Sequence, residues 1–342
     1  MFAKTQDPGP TANVDRMTES SRPRRRLAIL TAATACLALA ACTGGSPTPP
    51  AASGDSTAPA TSPAPGQSSA AATPTTPSTS SASPSPSKTP TGPVNADYKH
   101  FDPKNFGSPL GAKNRWFPLV PGNQSLRDGS IMRGSRRLHH QKRLTVTDVV
   151  KEINGVQAVV LLDQDIDAGQ NGETALDYLA QDKSGNVWYL GSYTEIYEGG
   201  QFVNANDAWL AGTRRAKPGV LMMADPKENM KYVEASIPGR ETIHAKVDKV
   251  GVRKCVPFRC FSKSLVILED GSEFKFYAAG VGDIGTEPNY SGGEQEKEAL
   301  INVIQLSKKG LAESSKEALR LDRHARIAAK KIFGNSEPAK RA

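Results

Sequence analysis

The chain has 342 residues and a formal net charge of +8, and only 37% of its residues are hydrophobic, a low fraction for a chain that folds along its whole length. This length allows one or two domains. The excess of basic residues does not by itself indicate a nucleic-acid partner, and the sequence contains no nucleic-acid-binding motif that would support one.

The first 41 residues have the pattern of a bacterial export signal. Residues 22–26 read RPRRR, and residues 27–41 read LAILTAATACLALAA, which carries no charge. An apolar run of about 15 residues is too short to cross a bilayer comfortably, but it suits the core of a signal peptide. Translation from Met17 would give a signal of ordinary length, and the adjacent arginines leave twin-arginine export open beside the general secretory route.

The signal ends in Leu39-Ala40-Ala41-Cys42, which resembles the lipobox of bacterial lipoproteins. In that family the signal is cut before the cysteine, and the cysteine thiol carries diacylglycerol. The resemblance implies that residues 1–41 are removed and that acyl chains on Cys42 anchor the protein at the extracytoplasmic face of the cell membrane. The alternative is an ordinary cleavage site that happens to precede a cysteine.

Residues 42–93 are predicted to form a disordered tether after this cysteine. From residue 43 onward the segment consists almost entirely of Ala, Ser, Thr, Pro, Gly and Gln, and its only charged residues are Asp55 and Lys88. Such a segment buries too little apolar surface to offset the entropy lost on ordering. We therefore expect a single folded domain in residues 94–342.

The folded domain is predicted to be mostly β. Runs rich in β-branched and aromatic residues alternate with turn residues, and the Asn154-Gly155 pair favours a tight hairpin between the first two runs. The predicted strands cover residues 144–150, 157–162, 174–181, 187–197, 219–223, 244–252, 264–268, 272–277 and 301–306. Short strands joined by hairpin-length turns predict an antiparallel sheet that is strongly curved or forms a partly open barrel.

An irregular segment and a helix flank these strands. Residues 100–122 are rich in Pro, Gly and Asn, and their aromatic residues are expected to pack on the core. Residues 308–334 predict one long C-terminal helix, which completes an α+β fold and covers a face or an open mouth of the sheet. Its apolar stripe consists of Ala318, Leu321, Ala325, Ala328 and Ile332.

Once residues 1–41 are removed, the basic character of the chain lies in its C-terminal segment, because residues 308–342 hold ten basic and four acidic side chains and residues 42–307 are essentially neutral. One interpretation is a solvated helix face. The other is a structural or partner-binding surface that attracts anionic headgroups or wall polymers.

Two segments of the domain resemble a family of uncharacterised secreted bacterial proteins, many of them lipoproteins of actinobacteria. Residues 175–202 contain AQDKSGNVWYLG, which is similar to the AQD-x-x-GNVWYLG hairpin of that family. Residues 274–285 read FKFYAAGVGDIG and are similar to its YYAPGVG segment, with Ala279 in place of the proline. The position after Leu190-Gly191 holds Ser192, where the family frequently has glutamate.

The same resemblance extends over nearly all of residues 98–334. Residues 101–106 match an FDP-x-NF pattern, residues 117–122 match FPL-x-PG, and residues 217–223 match a KPG strand that contains methionine. The resemblance implies export and attachment to the envelope, and it implies no particular reaction.

Aromatic residues are dense along one predicted strand of this hairpin. In a regular strand Tyr189, Tyr193 and Tyr197 share one face, and Trp188 lies on the other. An aromatic face on a concave sheet can hold an apolar or sugar ligand, and it can equally form ordinary core. Both interpretations remain open from the sequence.

An acidic run offers one weak candidate for metal binding. A calcium loop would use Asp163, Asp165, Asp167 and Glu173. The EF-hand pattern fails, because it requires Gly at its sixth position and Glu at its twelfth, where this chain has Ala168 and Thr174. A polar hairpin loop is the alternative, and the histidines do not show the spacing of a zinc site, so we expect no metal.

The remaining motifs do not indicate a reaction. The sequence contains no P-loop, no G-x-S-x-G elbow and no HExxH motif, so no cofactor is expected. Cys255 and Cys260 are the pair left after Cys42, and an exported location favours a disulfide between them. A binding module for an apolar or envelope-derived ligand is therefore the first hypothesis. An envelope hydrolase that uses Asp177, Asp182 and Glu195 is the second.

Overall fold

Twelve antiparallel strands form a closed barrel in the computed structural model, which describes residues 100–289 and 295–342. The predicted signal (1–41) and tether (42–93), including Met17 and Cys42, lie outside the described residues. The predicted mostly β fold with a C-terminal helix is confirmed. The barrel closes, where the sequence predicted a curved or partly open sheet, because β1 pairs with strands on both of its sides.

The strands are β1 (Asn123–Arg133), β2 (Arg136–Ile153), β3 (Val156–Asp167), β4 (Gln170–Gln181), β5 (Val187–Glu198), β6 (Gln201–Asn204), β7 (Trp209–Leu210), β8 (Lys217–Met222), β9 (Lys231–Ile237), β10 (Glu241–Cys255), β11 (Cys260–Glu269), β12 (Glu273–Ala278), β13 (Gly282–Pro288), β14 (Glu296–Gln305) and β15 (Lys340–Arg341). Their order around the barrel is β1-β14-β13-β12-β11-β10-β9-β8-β5-β4-β3-β2, and β2 pairs again with β1. The short strands β6 and β7 pair with β5, and β15 pairs with β2.

Tight turns fix the register of several hairpins. Asn154 and Gly155 both have positive φ, 50° and 79°, and they join β2 to β3 with Ile153 opposite Val156. This is the turn that the Asn-Gly pair predicts. Cys255 and Cys260 form a disulfide at the tip of the β10–β11 hairpin, which confirms the predicted pairing.

The C-terminal segment packs against the outer surface of β2, β3 and β4. Helix α1 (Lys308–Ala328) begins after Ser307, whose side chain accepts a hydrogen bond from the backbone N–H of Gly310. Ala318, Leu321 and Ala325 on the barrel-facing side of α1 are fully buried, as the predicted apolar stripe requires. In the described part of the chain, no helix is long and apolar enough to span a membrane.

The predicted long helix is interrupted near its end. Ala329, with φ −114° and ψ 41°, separates α1 from α2 (Lys330–Phe333). Ala328, the last residue of α1, is exposed, contrary to the predicted stripe. After the break, Phe333 is buried against Tyr178 and Tyr193.

The entry segment covers the core as predicted, because Trp116, Phe117 and Leu119 are buried and Phe106 packs against the core. It is irregular, apart from two short 3-10 turns at Pro103–Asn105 and Pro109–Gly111.

Candidate functional site

A pocket opens where β1 begins, β14 ends and β13 begins. We call it the mouth pocket. It has an empty volume of about 470 Å³, including the part open to solvent. Its apolar lining includes Phe117, Leu144, Val146, Leu161, Val281 and Val303, and its polar lining includes Asn123, Gln124, Ser125 and Asp283. The pocket therefore combines an apolar wall with a few fixed polar groups, as small-molecule sites usually do.

The polar side of the mouth pocket is held in place by hydrogen bonds. Asp283 accepts hydrogen bonds from Arg127 at 2.6 Å and from the backbone N–H of Gly285 at 2.9 Å. Gln124 donates to Thr145 Oγ1 at 2.8 Å. These contacts fix the orientation of the polar groups before any ligand arrives.

Charged side chains fill the barrel beyond the mouth pocket. Arg127 also contacts Glu298 at 2.9 Å, which connects the pocket to a buried group of ion pairs. We call this group the interior network, and its members are Arg127, Arg133, His140, Lys142, Asp163, Asp165, Asp167, Asp283, Glu296 and Glu298. Lys142 lies 3.3 Å from Asp165 and 3.5 Å from Glu296.

The acidic run predicted as a hairpin loop or a calcium loop is part of strand β3. Asp163, Asp165 and Asp167 alternate along the strand, so all three side chains point into the barrel. His140 pairs in register with Asp167, and Lys142 pairs with Asp165. Glu173 lies opposite Asp165 on β4 and shares the same face. The four residues belong to two strands and do not form a loop site.

Burial controls the ionisation of the interior network. It raises the pKa of Asp163 to about 8 and that of Glu298 to about 7, although Lys142 and Arg127 oppose these shifts. Burial also raises the pKa of Asp177, whose charge interacts with Lys142 and with Lys275 from β12. Burial therefore disfavours the charged form of these three carboxyls, and the neighbouring cations offset that effect only in part.

A β-bulge at Leu190 divides the aromatic hairpin between the two faces of the sheet. Tyr178 pairs with Gly191 and Leu179 pairs with Tyr189, so one extra residue lies in β5. Tyr189 consequently points inward and donates a hydrogen bond to Asp177 at 2.6 Å. The prediction that Tyr189 shares a face with Tyr193 and Tyr197 is wrong, because it assumed a regular strand.

The other aromatic residues of this hairpin take part in packing. Trp188 is buried, contacts the rings of Phe101 and Phe106, and donates to Asp182 Oδ2 at 2.8 Å. Tyr193 is fully buried against Phe333. The lining of the mouth pocket includes none of Trp188, Tyr189, Tyr193 and Tyr197. These contacts favour the core-packing interpretation.

The three carboxylates considered for hydrolysis lie apart from one another. Asp177 points into the barrel, whereas Glu195 lies on the opposite face of the β4–β5 pair. Asp182 lies in the turn between these strands and accepts hydrogen bonds from Asn186. They do not converge in a cleft, and this geometry argues against a hydrolase that uses them together.

Glu195 anchors the C-terminal helix to the barrel. Its side chain is 1% exposed and accepts hydrogen bonds from Tyr193 at 2.7 Å, from His324 at 2.6 Å and from Tyr197. The half-buried His324 therefore belongs to a hydrogen-bonded cluster around the buried Glu195 carboxylate. His324 and Glu195 are 129 positions apart in the sequence, so no local spacing pattern could have predicted their contact.

We expect a Glu195→Gln variant to lose stability at neutral pH. Burial disfavours the charge on Glu195, but the hydrogen bonds from Tyr197, His324 and Tyr193 outweigh burial and lower the pKa of this carboxyl. A carboxyl with a lowered pKa stabilises the folded state above its unfolded value of about 4.3, and that contribution disappears as the pH falls through the folded value.

The difference in free energy of unfolding between wild type and this variant should therefore be largest near pH 7 and shrink at acidic pH. Urea unfolding at several pH values measures it. Glu198→Gln, at an exposed position of the same strand, is the control and should leave the pH profile unchanged. A constant difference at all pH values would contradict the assignment.

Comparisons with known proteins add little to this picture. No family model matches the chain, and none of the curated proteins matches it. A Bacteroides fragilis structure described as a "putative exported protein with YmcC-like fold" is 12% identical, covers 56% of this chain and 100% of its own, and has a TM-score of 0.32. A "putative lipoprotein" of Parabacteroides distasonis is also 12% identical, covers 56% of this chain and 100% of its own, and has a TM-score of 0.31. At TM-scores this low, neither similarity carries an argument about this chain.

Proposed function

We propose that this chain is a non-catalytic binding protein, tethered to the extracytoplasmic face of the cell membrane through lipidated Cys42, and that its mouth pocket holds the ligand. The lipobox-like Leu39-Ala40-Ala41-Cys42 segment supports the anchor. The resemblance of residues 98–334 to secreted and lipid-anchored bacterial proteins supports the location. The tether predicted in residues 42–93 allows the domain to reach ligands away from the membrane surface.

The mouth pocket is the observation that carries the binding role. Its wall is apolar, and two of its polar side chains are fixed by hydrogen bonds: Asp283 by Arg127 and the Gly285 N–H, and Gln124 by Thr145. An apolar segment with one polar end fits this arrangement, because the segment replaces water at the wall while the polar end bonds to Asn123 or Asp283. Acyl or isoprenoid portions of envelope molecules have this chemistry.

A fluorescent fatty alcohol, 11-dansylaminoundecanol, tests the pocket directly, because its hydroxyl can donate a hydrogen bond to Asp283. We expect saturable binding to the full chain in non-denaturing detergent, with a rise in dansyl emission. Val303→Trp places an indole at the half-buried rim of the pocket and should weaken binding about tenfold or more. Val250→Trp, at an exposed valine outside the pocket lining, is the matched control. Equal affinity in both variants would place the binding site elsewhere.

Metabolic labelling with palmitate tests the anchor separately. The wild-type chain should incorporate label and fractionate with membranes, because acyl chains on Cys42 bind the bilayer firmly. Cys42→Ala should abolish both results. A Cys36→Ala variant changes the cysteine inside the apolar run and should retain the label. Unchanged fractionation of the Cys42→Ala chain would refute the anchor while leaving the pocket untouched.

A further inference from the structure

His140 is a buried member of the interior network, and only one of its two ring nitrogens is hydrogen-bonded within the described residues. Its side chain is fully buried, and Nδ1 lies 2.6 Å from Asp167 Oδ1. The other ring nitrogen, Nε2, makes no hydrogen bond among the described residues. It points toward Glu296 Oε1 at 3.6 Å and Glu298 Oε2 at 3.8 Å. A buried ring nitrogen is therefore aimed at two carboxylates that lie beyond hydrogen-bonding distance.

These separations fit ligands that share one metal ion. A zinc ion bound to nitrogen and oxygen at about 2.0–2.2 Å in a tetrahedral site holds its ligand atoms roughly 3.4 Å apart. The ligand atoms of His140, Glu296 and Glu298 all lie within 4.8 Å of one another. Glu298 Oε2 is buried and, like His140 Nε2, makes no hydrogen bond to the described residues. These two atoms therefore face one another across a common space, and Glu296 Oε1 lies 3.6 Å from His140 Nε2.

Asp167 gives His140 the orientation that a metal ligand needs. A histidine that binds metal through one nitrogen usually donates the other N–H to a carboxylate, which fixes the ring. Asp167 accepts that N–H and is itself held by Arg133 at 3.0 Å. The imidazole therefore stands ready to present Nε2 once its proton is displaced.

Glycine on the intervening strand makes room for this convergence. Gly129 of β1 lies opposite His140 on one side and opposite Glu298 on the other. Because Gly129 has no side chain, the two flanking side chains can meet over β1. A β-carbon at this position would also lie 1.9 Å from the carbonyl oxygen of Lys297.

The charge of the interior network favours a divalent ion. Its ion pairs join four cationic side chains, His140 included, to six carboxylates among the described residues. Carboxyl groups therefore outnumber cationic side chains in these ion pairs, and a divalent cation would add positive charge among them. Binding of the ion displaces the proton from His140 Nε2.

We propose that His140, Glu296 and Glu298 bind one first-row divalent cation, of which Zn²⁺ is the best match, inside the barrel. One imidazole and two carboxylates suit such an ion better than Ca²⁺, which takes six to eight oxygen ligands. The site lies apart from the mouth pocket, whose lining includes none of the three ligands. The ion links β2 to β14 across β1 and stabilises the barrel where it closes.

The experiment uses two neighbouring histidines as a matched pair. The full chain is stripped with chelator and titrated with ZnCl₂ by isothermal titration calorimetry, and its thermal midpoint is followed in parallel. We expect one Zn²⁺ per chain and a raised midpoint. His140→Gln should weaken binding by about tenfold or more, whereas His139→Gln, on the outward face beside Asp128, should not.

A variant that should bind Zn²⁺ more tightly than wild type distinguishes loss of the metal site from loss of the fold. Lys142 places a positive charge 3.5 Å from Glu296 Oε1, where it competes with the ion. Lys142→Gln should therefore bind Zn²⁺ about tenfold more tightly, which an unfolded variant cannot do. Absence of Zn²⁺ binding by the folded wild type, equal losses in the two histidine variants, or equal binding of Ca²⁺ would each overturn the proposal.

Discussion

A Lys151→Met variant should lose about 3–5 kcal/mol of its free energy of unfolding. Lys151 on β2 and Asp322 on α1 form an ion pair of 2.8 Å, and neither side chain is more than 2% exposed. The Lys151 ammonium also donates to the backbone carbonyl of Glu337. Methionine fills a similar volume but leaves the Asp322 carboxylate buried without the ammonium, although Asp322 still accepts a hydrogen bond from the backbone N–H of Ala339.

Urea unfolding followed by tryptophan fluorescence measures this loss. Lys316→Met, at an exposed position of the same helix, is the control and should change stability by less than about 0.5 kcal/mol. The double variant Lys151→Met/Asp322→Leu removes both charges and should recover most of the loss. If Lys151→Met is as stable as wild type, the helix does not depend on this ion pair.

Gly129→Ala should destabilise the barrel by about 3 kcal/mol or more, because its β-carbon would collide with backbone. The nearest atom, the carbonyl oxygen of Lys297, would lie only 1.9 Å away. Strands β1 and β14 would have to separate at the point where the barrel closes. Hydrogen exchange should consequently accelerate in these two strands before it accelerates in β3 and β4.

Gly107→Ala is the matched control for this substitution. A β-carbon at Gly107 meets no atom within 4 Å, so this variant should be nearly neutral. Differential scanning calorimetry compares the two. A Gly129→Ala protein with a wild-type midpoint would show that the close approach of β1 to β14 is not required for stability.

The hairpins that were predicted correctly from the sequence are those whose strands are rich in β-branched residues and whose turns contain typical turn residues. The β2–β3 pair carries β-branched runs on both sides of Asn154-Gly155, and both local and long-range preferences favour the same structure there. The turn at Asp182 between β4 and β5 was predicted for the same reason. Strand β13 was missed because it contains two glycines and ends at Pro288, which local propensity does not associate with a strand.

Strand β1 and the first half of β2 were missed for a different reason. Pattern analysis assumes that the buried face of a strand is apolar. Here Arg127, His140 and Lys142 occupy the inward face, so the usual alternation is inverted. The register that brings these residues together depends on barrel closure, which single segments do not encode.

Two acidic segments of the interior network show an alternation in the sequence from which their shared face could have been predicted. Glu296-Lys297-Glu298 alternates in sign, and the run from Asp163 to Asp167 places acids at every second residue. A period of two predicts one shared face for these carboxylates. The position of His140 opposite them could not be predicted, because it depends on the pairing of β1 with both neighbours.

The extra residue at Leu190 has a consequence for alignments across β5. Removing one residue there would turn the tip of the hairpin over, so that the indole of Trp188 would enter the charged lumen and the phenol of Tyr189 would leave it. Two chains that are identical in sequence except for a one-residue deletion at this position would therefore place the side chains before the deletion on opposite faces of the sheet.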